Sequence, residues 1–363
     1  MKKVLCLIDR LGFGGAERQM IGLSVLLKQK GYVVDLATYY DFDFNTDILE
    51  SAGVRLLKLK QHSFFLAKLM MVRRLVNKEK YDVVIAYKTG ATMLACILKM
   101  MGGGFKLIVS ERNTTQTFTQ RDKLRFWLYK KADDVVPNSY TQEDLIKGRY
   151  PALASKTTTI TNFTDTDHFC PSEANHSHPM VVLTTARIAK QKNVLNYLDA
   201  VKKVKDEGAD IQFRWFGNVQ EGQEDYGKEC VEKVEKLGLA DVFEFHPATS
   251  NIVEEYQKCD FFCLPSFYEG YPNVVCEAMS CGKPVVCSRV CDNPHIVEDG
   301  KNGLMFNPLD ANDMAKAILE MSRLSEKQRQ DMGVRSREIA VNNFSMEAFV
   351  DKYIKMIEGY SFV

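Results

Sequence analysis

The chain has 363 residues, 45% hydrophobic and 26% charged, with a net charge of +1. That is enough apolar material for two cores of ordinary domain size, and it excludes a disordered chain. The charge is unevenly spread: residues 1–160 carry 26 Lys and Arg against 15 Asp and Glu, whereas residues 161–363 carry 22 against 32. A basic N-terminal half suits an anionic surface or acceptor, and no nucleic-acid partner is expected. Asp9 and Arg10 arrive too early for a signal peptide. The longest apolar stretch is broken by Lys88 and Lys99, so no membrane-spanning helix is expected. Ten cysteines and six histidines show no zinc-type spacing. The expectation is reduced, buried thiols, a cytoplasmic protein and no metal.

In chain order, apolar runs predict strands at 3–8, 32–39, 54–59, 82–87, 106–110 and 134–138. Between the first two, a loop from Asp9 to Gly15 opens a helix that stops at Gly31. A polar stretch at 172–179, with His176 and His178, reads as a linker. A second series of strands is predicted at 180–184, 211–216, 242–245, 260–264, 284–287 and 304–306, with helices at 311–323, 326–341 and 346–358. Strands alternating with helices imply α/β domains built on parallel, doubly wound sheets. Ligands then bind beyond the carboxyl ends of the strands. The divisions are 1–170 and 180–344, with 345–363 following.

The most informative stretch is Leu264 to Val286. A short strand ends at Pro265 and Ser266, Gly270, Tyr271 and Pro272 turn the chain, and a helix starts at Asn273. A loop that opens onto a helix N-terminus presents unpaired N–H groups to an anion. Two carboxylates, Glu269 and Glu277, bracket it, and a carboxylate beside such a site is suited to sugar hydroxyls. After the first strand of the second series come Arg187 and Lys192, with Lys190 between them. A rigid guanidinium fork and a flexible ammonium could neutralise a diphosphate without a metal. Near the N-terminus, Gly12, Gly14, Gly15 and Glu17 form a glycine loop where backbone could approach a ligand closely. Read as a dinucleotide loop, it would use Asp35 as the ribose acid, giving an NAD-linked oxidoreductase as an alternative.

The Glu-x7-Glu spacing of Glu269 and Glu277, Arg187 and Lys192 five apart, and the Gly-Gly-Ala-Glu loop together resemble the family-4 retaining glycosyltransferases. The likeness extends over nearly the whole chain. It implies the GT-B fold, two doubly wound Rossmann-like domains facing across a cleft, with 345–363 crossing back to the first. By that resemblance Glu277 binds the ribose of a nucleotide sugar and Glu269 faces the transferred sugar. Arg187 and Lys192 hold the leaving diphosphate, and Tyr271, Asn273 and Val274 contribute backbone contacts. Gly15 lies in the loop facing donor phosphates or acceptor. The usual Gly before the Arg is Ala186 here. The His that many members carry near Ser110, Glu111, Arg112 and Asn113 is absent, and Glu111 and Arg112 are the acceptor-site candidates.

The implied activity is metal-independent retaining transfer from a nucleotide sugar, a UDP-hexose or UDP-N-acetylhexosamine, to a glycan or lipid-linked acceptor in surface polysaccharide assembly. A non-catalytic nucleotide-sugar binding protein is a further alternative. His246 ends a strand where the family places the nucleotide base, with a plain turn as the alternative; His295, in a loop that in the family lies near the donor, reads as a surface residue, and His62 and His168 show no metal spacing. Two basic amphipathic helices, around Phe65–Val76 and Gln120–Lys131, could lie on an anionic membrane at its inner face.

Overall fold

The computed structural model describes residues 1–12, 14–40, 46–59, 64–112, 119–172 and 179–360. Phe13, His62, Asn113, His176, His178 and most of the expected linker lie outside the described residues. The chain divides into two compact units, Met1–Phe163 with Met346–Val363, and Thr164–Ser345.

In the first unit the strands are β1 (Lys3–Leu7), β2 (Val33–Thr38), β3 (Arg55–Lys58), β4 (Val83–Tyr87), β5 (Lys106–Glu111) and β6 (Asp134–Pro137). All are parallel, in the order β3-β2-β1-β4-β5-β6. The helices between and after them are α1 (Gly15–Gln29), α2 (Asp47–Ser51), α3 (Phe65–Glu79), α4 (Thr89–Met100), α5 (Gln120–Leu128) and α6 (Tyr140–Arg149). Helices cover both faces of such a sheet, so its strands are apolar on both sides. Along β1 the side chains alternate between two cores: Val4, Cys6 and Ile8 enter one, Leu5 and Leu7 the other.

The second unit repeats the plan. Its strands are β7 (Met180–Thr185), β8 (Ile211–Phe216), β9 (Phe243–His246), β10 (Phe261–Leu264), β11 (Val285–Ser288) and β12 (Gly303–Phe306). They are parallel, in the order β12-β11-β10-β7-β8-β9. Its helices are α7 (Val194–Asp206), α8 (Glu224–Lys236), α9 (Ile252–Lys258), α10 (Asn273–Ser280), α11 (Asn293–Ile296), α12 (Ala311–Arg323) and α13 (Glu326–Phe344). Cys263 points to one core, and Phe262 and Leu264 to the other. A Ser325–Gln328 capping box starts α13, satisfying amides that helix geometry leaves unpaired.

The last helix, α14 (Met346–Glu358), packs within the first unit. Its buried side chains Phe349, Val350, Tyr353, Met356 and Ile357 join the core of α1 and β1, each worth about 1.5–3 kcal/mol of burial. The Tyr353 hydroxyl meets that of Tyr87 at 2.8 Å.

Each expected strand is found to within one residue at either end. The first boundary needs correction, because residues 164–170 belong to the second unit. Thr164 N–H donates to the Phe344 carbonyl at 2.7 Å, and Arg337 donates to the carbonyls of Thr166 and Phe169. Phe169 is buried in that unit's core.

Candidate active site

The order of the second sheet reverses between β10 and β7, and the sequence-predicted donor residues stand on the segments that leave the carboxyl ends of these two strands. Parallel sheets open a crevice at such a point. After β7 the chain stays extended beside the loop that follows β8. Ala186 N–H donates to Phe216 O at 3.0 Å, Ile188 N–H to Asn218 O at 2.9 Å, and Gln220 N–H to Ile188 O at 3.0 Å. Extended backbone alternates its side chains. Ile188 is therefore buried, and Arg187 is exposed and lines a cavity of about 630 Å³.

Gly217 allows this approach. A Cβ there would lie 2.0 Å from the Ala186 carbonyl oxygen, which also accepts the Trp215 indole N–H at 2.8 Å. Gly217, Asn218, Thr249 and Tyr256 line the same cavity, as do Val274 and Glu277 from α10. None of the first four was singled out in the sequence. Their places depend on contacts between distant segments, although a glycine closing an apolar strand at Phe216 was a visible signal.

Tyr256 holds Glu277. Its hydroxyl lies 3.1 Å from Glu277 Oε2 and 2.7 Å from Thr185 Oγ1. Burial, reinforced by the Glu277 charge, pushes its phenol well above the ordinary tyrosine range, so the hydroxyl keeps its proton as a donor. The α10 amides divide. Asn273 N–H donates to Tyr271 O at 3.0 Å, and the N–H groups of Val275 and Cys276 turn back to Pro272 O. Val274 faces the cavity. The Tyr271 ring is buried against Phe344 instead, and neither Tyr271 nor Asn273 is among the residues lining the cavity.

Lys192 and Glu269 pair with each other. Lys192 Nζ donates to Glu269 Oε1 at 2.6 Å, and Ser266 Oγ donates to the same oxygen at 2.5 Å. The two side chains are 12% and 9% exposed. Three more bonds join their segments: Phe267 N–H to Gln191 O, Gln191 Nε2 to Tyr268 O, and Asn193 Nδ2 to Pro265 O, all at 2.8–2.9 Å. Arg187 and Glu277 thus share a cavity, while Lys192 and Glu269 form a closed pair at the same sheet edge. Lys190 is exposed and is not among the cavity-lining residues. His246 stacks on the cavity residue Phe216 with ring centroids 4.6 Å apart, and His295 is exposed.

In the first unit, Glu111 and Arg112 turn to different partners. Glu111 is buried, with Arg125 Nε at 3.2 Å and the Tyr129 hydroxyl donating to it at 3.1 Å. Arg112 lies over the Tyr87 ring, 4.3 Å from its centroid, and donates to Ser110 Oγ, Asn162 Oδ1 and the hydroxyls of Tyr87 and Tyr353. Both are tied into the fold by these contacts. Asp35 accepts two bonds from Arg55, at 2.9 and 2.6 Å, and one from the Tyr81 hydroxyl at 2.6 Å. It is buried inside β2, not at its carboxyl end, so the ribose acid of the oxidoreductase alternative is missing. Gly15 is the first residue of α1 and is exposed.

Two parallel six-stranded sheets, each flanked by helices and each with one reversal of strand order, define the α/β fold of GT-B glycosyltransferases. Two family models tile the chain: Glycosyltransferase Family 4 over residues 13–168 and Glycosyl transferases group 1 over residues 167–339. The chain belongs to the family-4 glycosyltransferases. It is 30% identical over 174 residues to the uncharacterized glycosyltransferase MJ1178 of Methanocaldococcus jannaschii, a match spanning 47% of this chain and 46% of that protein. The lipopolysaccharide core biosynthesis glycosyltransferase LpsE of Rhizobium meliloti is 24% identical, over 95% of this chain and 96% of its own length. An N-acetylgalactosaminyltransferase of Campylobacter jejuni, named for a diphospho-undecaprenol-linked substrate, is 24% identical over 93% of this chain and 95% of that protein. Among solved structures, Anabaena HepE in complex with UDP superposes with a TM-score of 0.85 at 21% identity, covering 98% of this chain and 100% of that one.

Proposed function

We propose that this glycosyltransferase moves a sugar from a UDP-sugar, a hexose or N-acetylhexosamine, to a glycan or lipid-linked glycan acceptor in surface polysaccharide assembly, with retention at the anomeric carbon. The observation that carries the donor site is that Arg187 and Glu277, from segments after β7 and β10, line one cavity of about 630 Å³ at the strand-order reversal. The HepE complex supports UDP, and the names of the Rhizobium and Campylobacter relatives support the acceptor class.

In this reading Arg187 takes the diphosphate oxygens, and the Val274 amide adds a donor from the start of α10. Glu277, held by Tyr256, accepts from the ribose hydroxyls. Glu269 faces the sugar and is paired with Lys192, where its carboxylate can stabilise positive charge developing on the sugar ring. Lys192 serves the leaving diphosphate while holding Glu269 in place. The retaining course follows the family: the acceptor hydroxyl attacks on the face that the diphosphate leaves, and the diphosphate takes the hydroxyl proton. No metal is assigned a role. Calorimetric titration with UDP- and GDP-sugars, followed by NMR assignment of the product anomer, tests the reading. Binding of GDP-sugars alone, or an inverted anomer, would count against it. Donor binding without transfer to any glycan would favour a non-catalytic binding protein.

Peripheral contact with an anionic membrane is part of the proposal. Leu124 and Trp127 on α5 are 49% and 51% exposed, between the basic residues Arg121, Lys123, Lys130 and Lys131. Phe65 and Leu66 on α3 are 48% and 67% exposed, whereas Leu69, Val72 and Val76, expected on the same face as Phe65, are buried in the first unit's core. Apolar side chains among cations suit the headgroup boundary of an anionic bilayer. Among the described residues no helix is long and apolar enough to cross a membrane. Sedimentation with anionic vesicles at low and high salt tests the contact; binding absent at low salt would remove it.

A further inference from the structure

The first unit holds a cluster of charged side chains that the donor site does not use. Its strand order reverses between β1 and β4, the place where open parallel sheets bind ligands. Asp9 follows β1 and Lys88 follows β4, and their side chains meet across this point. Lys88 Nζ donates to Asp9 Oδ1 at 3.0 Å and to Glu17 Oε1 at 2.7 Å. The Glu17 carboxylate lies close over Gly14, where a Cβ would be 2.5 Å from Glu17 Oε2. The space beside Gly14 is thus taken by a carboxylate of this chain.

Lys88 has φ 70° and ψ 151°, a region that only glycine occupies without strain. A lysine occupies this position although glycine would fit the backbone better. Beside it, the N–H groups of Tyr39 and Tyr40 both donate to the Asp9 carbonyl, at 3.1 and 3.0 Å. The Tyr40 ring is 37% exposed. Lys68 holds it, with Nζ 2.6 Å from the hydroxyl and 4.2 Å from the ring centroid.

We propose that Asp9, Lys88 and Tyr40 form a subsite for an uncharged sugar of the acceptor, with Glu17 as the positioning residue for Lys88. Charge selects the ligand class. The Lys88 ammonium is already matched by two carboxylates, and with Lys68 on Tyr40 the four charged groups sum to zero, so the cluster offers a phosphate no net attraction. Sugar hydroxyls can donate to the open oxygen of Asp9 and accept the remaining hydrogen of Lys88, and the Tyr40 ring can cover an apolar sugar face. Asp9 and Lys88 are 25% and 24% exposed, within reach of a ligand, whereas Glu17 is 7% exposed. The subsite deepens the glycosyl-transfer reading, on which it rests, by naming the residues that recognise the acceptor.

The test is saturation-transfer NMR on the full chain, with and without UDP. The probes are methyl glycosides of glucose, galactose, N-acetylglucosamine and N-acetylgalactosamine, and inorganic pyrophosphate is titrated as the anionic comparator. The expected result is transfer to at least one glycoside, weakened about tenfold or more in both Lys88→Gly and Asp9→Asn, with UDP affinity within about twofold of wild type. Lys88→Gly removes the ammonium without straining the backbone, so its unfolding temperature should exceed that of Lys88→Met. Transfer to no glycoside overturns the proposal, as does transfer that survives both substitutions. Loss of glycoside binding on adding pyrophosphate, where Lys88→Gly also weakens pyrophosphate binding, overturns it as well. Loss of UDP binding in wild type would instead sink the donor reading, so the two failures are separable.

Discussion

Lys192 and Glu269 form a 2.6 Å ion pair between the segments that follow β7 and β10. It stands at the strand-order reversal of the second sheet, as the Lys88–Asp9 pair stands at that of the first. In each unit a lysine from one side of the crevice is matched to a carboxylate from the other. Such a pair fixes two loops against each other.

Breaking the Lys192–Glu269 pair from one side leaves a charge with little access to water. Lys192→Ala should therefore destabilise the second unit by about 3 kcal/mol, whereas Lys192→Met with Glu269→Gln should recover much of the loss. Urea unfolding midpoints of the single and double variants check this. Equal midpoints for both would show that the pair is solvated.

Glu269→Ala should lower turnover far more than UDP affinity, because its oxygens face the sugar and not the nucleotide in the proposed arrangement. Steady-state rates beside calorimetric UDP titration check it. Equal losses in both would move Glu269 away from the sugar.

Tyr256→Phe keeps a buried ring but leaves Glu277 Oε2 without the hydroxyl 3.1 Å away. UDP affinity should fall about fivefold, equivalent to about 1 kcal/mol. An unchanged affinity would mean that Glu277 does not depend on this contact.

Gly217→Ala drives a methyl group to 2.0 Å from the Ala186 carbonyl and displaces the segment that carries Arg187. The expected cost is about 1–3 kcal/mol of stability, with weakened UDP binding. Gly104→Ala, where a Cβ meets nothing within 4 Å, is the control and should change neither.

The thiols predict the alkaline limit. Burial pushes Cys276 and Cys281 up to about 12, from an ordinary value near 9. The folded pKa is raised, so the unfolded chain ionises first as pH climbs. Their contribution to stability is complete below about pH 9 and is lost progressively from there toward about pH 12. Urea midpoints at pH 7.5, 9 and 10 should fall in that order, and a flat series would contradict buried thiols.

The sequence revealed what depends on local pattern. Strands buried on both faces are apolar runs, so all twelve could be read, and Glu269, Glu277, Arg187 and Lys192 stood out because their spacings are short. What could not be read depends on distant partners. Glu111 and Arg112 are neighbours in sequence and were expected to act together. Successive residues leaving a strand face opposite ways, so one meets Arg125 and the other Tyr87. Nothing local in the glycine loop announces that the Glu17 carboxylate lies over Gly14. Lys192 and Glu269 are 77 positions apart, and nothing local announces their bond.

The central claim is that the cavity shared by Arg187 and Glu277 is the nucleotide-sugar site. It is tested most directly by calorimetric titration of UDP into wild type, Arg187→Ala and Glu277→Gln. The account predicts affinity lower by about 10- to 100-fold in Arg187→Ala, from the loss of charge-assisted bonds worth about 1.5–3 kcal/mol, and clearly lower in Glu277→Gln. UDP binding with wild-type affinity in both variants would contradict it.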